Sequence, residues 1–455
     1  MQNLLLLLAS YMFYGWWDWR FLLLILFSTL VDFIVGQWIY RTEAKNKRRY
    51  FLWISVICNI GILAFFKYFN FFTDSFIETF RFLGFSIHQS WTLKIILPVG
   101  ISFYTFQTMS YSLDVYKKKL IPTKDFISFA TYVSFFPQLV AGPIERASNL
   151  LPQILKKREF KYSQIAGGLR LILWGLFKKI AIADSLAPMV DDIFNNAGTY
   201  PSTTLLMGAL FFGFQIYGDF SGYSDIAIGT AKLFGIELMS NFKFPYFSRS
   251  IGEFWRRWHI SLSTWFRDYL YIPLGGSKVE KIKVVRNIFI IFLVSGLWHG
   301  ANWTFVFWGG IHAMLFAPTL LLGNNRKYTK TILAESRILP SLKELILVLG
   351  TFFMVTITWV FFRADSLSGA FAYLGRTFFD FSYQPYLHPK GYRMIDFHIL
   401  LGLFVIYEYI IRKNERSPFN FSSKVMRFIM YALIAFGILL FYESGVDRSF
   451  IYFQF

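Results

Sequence analysis

The chain has 455 residues, of which 55% are hydrophobic, 21% aromatic and only 16% charged, where soluble domains carry about 25% charged residues. A water-soluble fold of this length could not hide so much apolar surface; the same composition excludes disorder, and a lone cysteine, Cys58, excludes a disulfide scaffold. The formal net charge of +19 comes in short Lys/Arg clusters between apolar stretches, a pattern of loops retained in the cytoplasm and not the continuous basic face of a nucleic-acid binder.

A bilayer span needs about 20 apolar residues. Candidate segments run over 4–17, 21–40, 50–72, 93–113 and 126–140, then 165–187, 203–223, 287–322, 345–362, 397–411 and 425–442. They predict an all-α polytopic integral membrane protein of about nine to eleven spans, with re-entrant and interfacial half-helices, in a single membrane domain over 1–455. Segment 126–140 is short and meets Phe136-Pro137-Gln138 and then Gly142-Pro143, so a broken helix is expected there. Segment 287–322 is too long for one span and short for two; Gly296 and Gly300 place the expected break at its middle. If the basic cluster from Arg41 to Arg49 is cytoplasmic, the N-terminus is inside, Trp17–Arg20 and Asp74–Trp91 are outside, and Lys117–Lys124 is inside again.

Ionisable groups within apolar sequence are costly and therefore candidates for function. Among the histidines, His88, His388 and His398 lie in polar or loop-flanking sequence and suit surface or structural roles, while His312 suits a satisfied intramembrane imidazole. His259 follows Phe254-Trp-Arg-Arg-Trp258. On one continuous helix, Trp255, Trp258, Leu262, Trp265, Phe266 and Tyr269 make a single aromatic face, with Arg256, Arg257 and Arg267 opposite. Two readings stand: a structural interfacial helix, or a cavity wall where those arginines meet a phosphate-bearing cofactor. His299 falls at the expected break in Trp298-His-Gly-Ala-Asn302, where an imidazole could act as a general base or simply bond a neighbouring carbonyl. Asp219, Tyr223 and Asp225 form a polar cluster that suits either a helix end or a cavity wall. No His/Cys spacing suits a metal site, and phosphate-loop, dinucleotide and serine-elbow fingerprints are absent.

Several motifs resemble the membrane-bound O-acyltransferases, and within them the bacterial alginate O-acetyltransferase branch. These are Pro98–Gln107, Phe135–Ile144, Tyr217–Gly229, Phe254–Trp265, Tyr269–Gly276, Gly296–Trp303 and Trp359–Ala364. The resemblance implies a multi-helix fold around a central funnel, its motif core at about 98–322, in a bacterial cytoplasmic membrane. It implies His299 as the catalytic histidine and His259 as the second motif histidine, with Asp219, Tyr223, Asp225, Arg256, Arg257, Trp258, Arg267, Trp298 and Asn302 lining the substrate cavity. It further implies acetyl-CoA as donor and no metal. An extracytoplasmic polysaccharide would be the acceptor, reached through a hydrolase-fold partner of the SGNH type that carries the acetyl group. Peptidoglycan O-acetylation and D-alanylation of teichoic acid are rivals within the family; a transporter of polysaccharide or lipid-linked sugar is the rival outside it. Relatives of this branch carry another apolar segment before the stretch matching Asn3–Tyr14, so the family's first helix is expected to be missing.

Overall fold

The computed structural model describes residues 1–85, 91–329, 331–392, 394–442 and 450–451; His88 lies outside them. The elements among these residues are helices, and the chain falls into two compact units, Met1–Tyr162 with Ala231–Met239, and Ser163–Thr230 with Ser240–Phe455.

The first unit contains α1 (Gln2–Asp18), α2 (Leu22–Arg41), α3 (Lys45–Leu63), α4 (Phe69–Phe82), α5 (Ile101–Tyr116), α6 (Phe126–Ser134), α7 (Phe136–Leu139) and α8 (Ala147–Leu155). The expected break at 126–140 is present: α6 ends at Ser134, Phe135 turns out of helical geometry, and Pro137 sits in the first turn of α7, where its missing N–H costs nothing. A buried carboxylate ties three helices together. Asp32 of α2 accepts from Asn59 Nδ2 of α3 at 2.7 Å and from the Ser112 hydroxyl of α5 at 2.5 Å, and the Ser55 hydroxyl donates to it as well. An ionisable group in apolar surroundings survives only with such a complete set of donors.

The second unit contains α9 (Tyr162–Leu176), α10 (Ser185–Asn195), α11 (Ser202–Leu233), α12 (Ile251–Arg257), α13 (Ile260–Phe266), α14 (Lys281–His299) and α15 (Trp303–Leu321). It continues with α16 (Leu342–Arg363), α17 (Leu367–Phe379), α18 (Ile395–Ile411) and α19 (Lys424–Phe441). The break predicted within 287–322 occurs at Gly300, and its flanks are longer than the apolar run suggested. α14 starts back at Lys281, so α14 and α15 have 19 residues each and form two span-length helices instead of half-helices. They pack at backbone contact: a Cβ at Gly296 would lie 2.2 Å from the Phe305 carbonyl oxygen, and one at Gly309 would lie 2.2 Å from that of Phe292. Glycine is required at both positions for this approach.

Among the described residues, six helical segments are long and apolar enough to cross a bilayer: 2–41 and 45–82, each joining two helices, then α14, α15, α16 and α19. Helix α11 has the length but carries Asp219, Asp225 and Lys232, while α5, α9 and α18 have 16, 15 and 17 residues. Large apolar side chains face outward along these helices, including Leu5, Leu23, Leu349, Ile399 and Leu439. Such continuous apolar exposure belongs against lipid acyl chains, and the chain is a multi-pass membrane protein.

Candidate active site

All the residues singled out above as site candidates lie in the second unit. Its centre is aromatic: Trp258, Trp308 and Trp359 are essentially fully buried, with Trp359 rings 5.0 Å from Trp258 and 5.6 Å from Trp308. His312 belongs to this core as a satisfied imidazole. Trp255 Nε1 donates to its Nδ1 at 3.2 Å, so its Nε2 carries the proton and donates to the Thr358 hydroxyl at 3.0 Å, which in turn donates to the Val355 carbonyl.

The helix continuous over 254–269 does not form. Ser250 caps α12 by accepting from the Glu253 N–H, and the helix ends at Arg257; Trp258 is extended, and His259 takes left-handed backbone angles of φ 43° and ψ 55° before α13 begins. The reason is a competing partner for the backbone. The Lys243 N–H donates to the Arg257 carbonyl at 3.0 Å and the Ile260 N–H to the Asn241 carbonyl at 2.9 Å, so segment 241–243 pairs with the break. The aromatic stripe nevertheless turns inward over most of its length: Trp255, Trp258, Leu262, Trp265 and Phe266 are buried, while Tyr269 at its end is half-buried. They pack in protein, and the break turns His259 into the same interior.

His299 ends α14. Its ring is 6.2 Å from that of His259, although 40 positions separate them in sequence, and Trp298 lies beside both, at 5.8 Å from His259 and 5.0 Å from His299. The two histidines are 0% and 2% exposed. Phe220 of α11 meets His259 edge-on at 4.6 Å, and Trp308 and Phe362 meet His299 at 5.3 and 5.4 Å. The His259 Nδ1 lies 3.1 Å from Asn241 Oδ1, and burial pushes its pKa from 6.5 down to about 3, which keeps the ring neutral.

Other candidates are placed differently. Asp219 and Asp225 stand in the middle of α11, not at a helix end, and each has a lysine partner: Lys179 Nζ is 2.7 Å from Asp219 and Lys178 Nζ is 2.6 Å from Asp225. Lys179 also pairs with Asp184 at 2.6 Å, both lysines lying in a π-helical stretch, Phe177–Asp184, that follows α9. Tyr223 lies against Phe450 at 5.1 Å. The three arginines serve local bonds: Arg256 donates to the Asn325 carbonyl, Arg257 pairs with Glu253 at 2.7 Å, and Arg267 pairs with its neighbour Asp268 at 2.7 Å. Asn302 caps α15 by accepting from the Thr304 N–H and donates to the Asp365 carbonyl at 3.1 Å. His388 is buried, stacked on Tyr392, and His398 Nδ1 bonds the Met394 carbonyl at 2.6 Å. Among the described residues no three His, Cys, Asp or Glu side chains cluster as a metal site would.

Sequence reasoning missed Asn241, Ser224, Lys178, Lys179 and Glu408, whose carboxylate accepts from the Tyr217 hydroxyl at 2.8 Å. The lysines and Glu408 carried a usable signal, being ionisable groups inside apolar runs. Asn241, in an irregular segment, carried none.

Two buried imidazoles brought side by side from separate helix ends inside a polytopic helical bundle are features of a membrane enzyme. The model of the membrane-bound O-acyltransferase family matches residues 118–362. The chain is 44% identical over 375 residues to the probable alginate O-acetylase AlgI of Pseudomonas aeruginosa, covering 81% of this chain and 68% of that protein. It is 38% identical over 394 residues to the peptidoglycan O-acetyltransferase of Helicobacter pylori, covering 81% and 72%. It is 30% identical over 240 residues to the teichoic acid D-alanyltransferase of Streptococcus thermophilus, covering 49% and 57%. The chain belongs to the membrane-bound O-acyltransferase family and is an acyltransferase, which removes the transporter reading.

Proposed function

We propose that this acyltransferase moves acetyl groups from cytoplasmic acetyl-CoA across the bacterial inner membrane for O-acetylation of an extracytoplasmic polysaccharide of the alginate type. The observation that carries the reading is the 6.2 Å approach of two buried histidines from separate helix breaks. The similarity to alginate O-acetylases over most of the chain supports the acceptor class. His299 takes the proton of the acceptor hydroxyl as its oxygen attacks the thioester carbonyl; the new C–O bond forms, the C–S bond breaks, and the proton passes to the departing thiolate. His259 orients the reacting groups beside it. Trp298 packs against both rings and, with Trp308 and Phe362, keeps water from the thioester.

A periplasmic hydrolase-fold partner of the SGNH type would carry the acetyl group onward to the polymer. The similarity to a peptidoglycan O-acetyltransferase favours peptidoglycan as the second reading of the acceptor. The test is the ester content of the cell-envelope polymers in a strain whose only copy carries His299→Ala. Alkali-labile acetate should disappear from one polymer while the protein inserts at wild-type level; unchanged acetate would overturn the mechanism.

A further inference from the structure

The environment of His259 determines which edge of its ring does the work. Asn241 and Ser261 surround Nδ1. The backbone N–H of Ser261 points at the Asn241 side-chain oxygen from 3.3 Å, and the Ser261 hydroxyl donates to the same atom at 2.9 Å. A backbone N–H can only donate, so the amide atom it meets must be Oδ1 and not Nδ2. The opposite side of the amide agrees, because Asn241 Nδ2 donates to the Ser224 hydroxyl of α11 at 3.1 Å. The amide therefore has one orientation, and Oδ1 has only lone pairs to offer the imidazole nitrogen 3.1 Å away.

We propose that Asn241 is a positioning residue that locks His259 in its Nδ1–H tautomer, so that the ring offers Nε2 as a hydrogen-bond acceptor to the reacting groups. A neutral imidazole has one proton. With that proton held on Nδ1, the other edge presents a lone pair, and the nitrogen facing away from Asn241 holds a hydroxyl or amide N–H donor and cannot donate to an oxyanion. This divides the labour of the two histidines: His259 aligns an O–H or N–H group, and stabilisation of the tetrahedral oxyanion falls to other donors. Asn241, Ser224 and Ser261 are each about 1% exposed, so the relay is shielded from competing water. The division of labour rests on the acyl-transfer reading of the site; the tautomer itself does not.

The test uses full-length protein in nanodiscs with 15N-labelled histidine, the His259 signals being those lost in His259→Ala. Wild type should show a protonated Nδ1 and an unprotonated Nε2. Asn241→Leu should lose that pattern, and its acetyl-transfer kcat should fall on the order of 10–100-fold, with a smaller change in KM. Asn241→Asp, which still accepts from Nδ1, should keep the tautomer and recover most of the kcat. A wild-type signal with the proton on Nε2, or equal kcat for the Leu and Asp variants, would overturn the proposal. An Nδ1–H signal in a protein that transfers no acyl group would instead refute the function and leave the tautomer standing.

Discussion

Lys178 and Asp225 offer a quantitative check on how the interior of the second unit is built. Their charged atoms are 2.6 Å apart, with side chains 4% and 15% exposed. Replacing Lys178 by Met keeps an unbranched chain beside the Trp174 and Tyr217 rings, 5.9 and 5.8 Å from the ammonium, but strands a carboxylate in low dielectric. Breaking a buried pair from one side costs about 3–5 kcal/mol, whereas replacing both partners with apolar groups is close to neutral. Lys178→Met and Asp225→Leu should therefore each destabilise by about 3–5 kcal/mol, and the double variant by well under their sum, with a coupling of at least about 2 kcal/mol. Equilibrium unfolding in mixed micelles, followed by tryptophan fluorescence, measures all four corners of the cycle. Single-variant losses under about 1 kcal/mol, as for an exposed pair, or simple additivity, would refute the reasoning.

Three further outcomes follow from the geometry. Gly309→Ala sets a methyl 2.2 Å from the Phe292 carbonyl oxygen, so α14 and α15 must separate; overpacking of this kind costs about 1–3 kcal/mol and should lower transfer by moving His299, and wild-type activity in this variant would count against the hairpin. Asn302→Ala removes the α15 cap and should cost about 1 kcal/mol in thermal unfolding while transfer persists; complete loss of transfer would make Asn302 part of the chemistry. His259 has a folded-state pKa depressed from 6.5 to about 3, so on acidification the unfolded chain takes up this proton first. Stability should be fully present above pH 6.5 and fall as pH drops from there toward 3, and His259→Gln should flatten that part of the profile. An unchanged slope in the variant would refute the burial argument.

Much of the architecture was legible because lipid imposes length and apolarity on a span, and Pro and Gly mark where helices fail. Pro137 and Gly300 located two breaks in this way. Helical periodicity also found the inward face of Trp255, Trp258, Leu262, Trp265 and Phe266, even though the helix assumed to carry it is two short ones. That break was invisible for a specific reason: it is held open by backbone bonds from Asn241 and Lys243, and tertiary pairing leaves no local signature. The same limit applies to the charges. Asp219 and Asp225 were seen as unusual within apolar sequence, but their partners Lys178 and Lys179 lie on another helix segment. Motif resemblance singled out His259 and His299 individually; their 6.2 Å separation is a property of the packed helices.

The proposed transfer across the membrane depends on His299. Its most direct test supplies acetyl-CoA labelled in the acetyl group to the cytoplasmic face of sealed vesicles containing the protein, with an acceptor polysaccharide and its periplasmic partner on the opposite side. Ester-linked label is expected on the opposite side with wild type and only background with His299→Ala at equal protein levels. Equal label with both proteins, or label that stays on the cytoplasmic side with wild type, would contradict it.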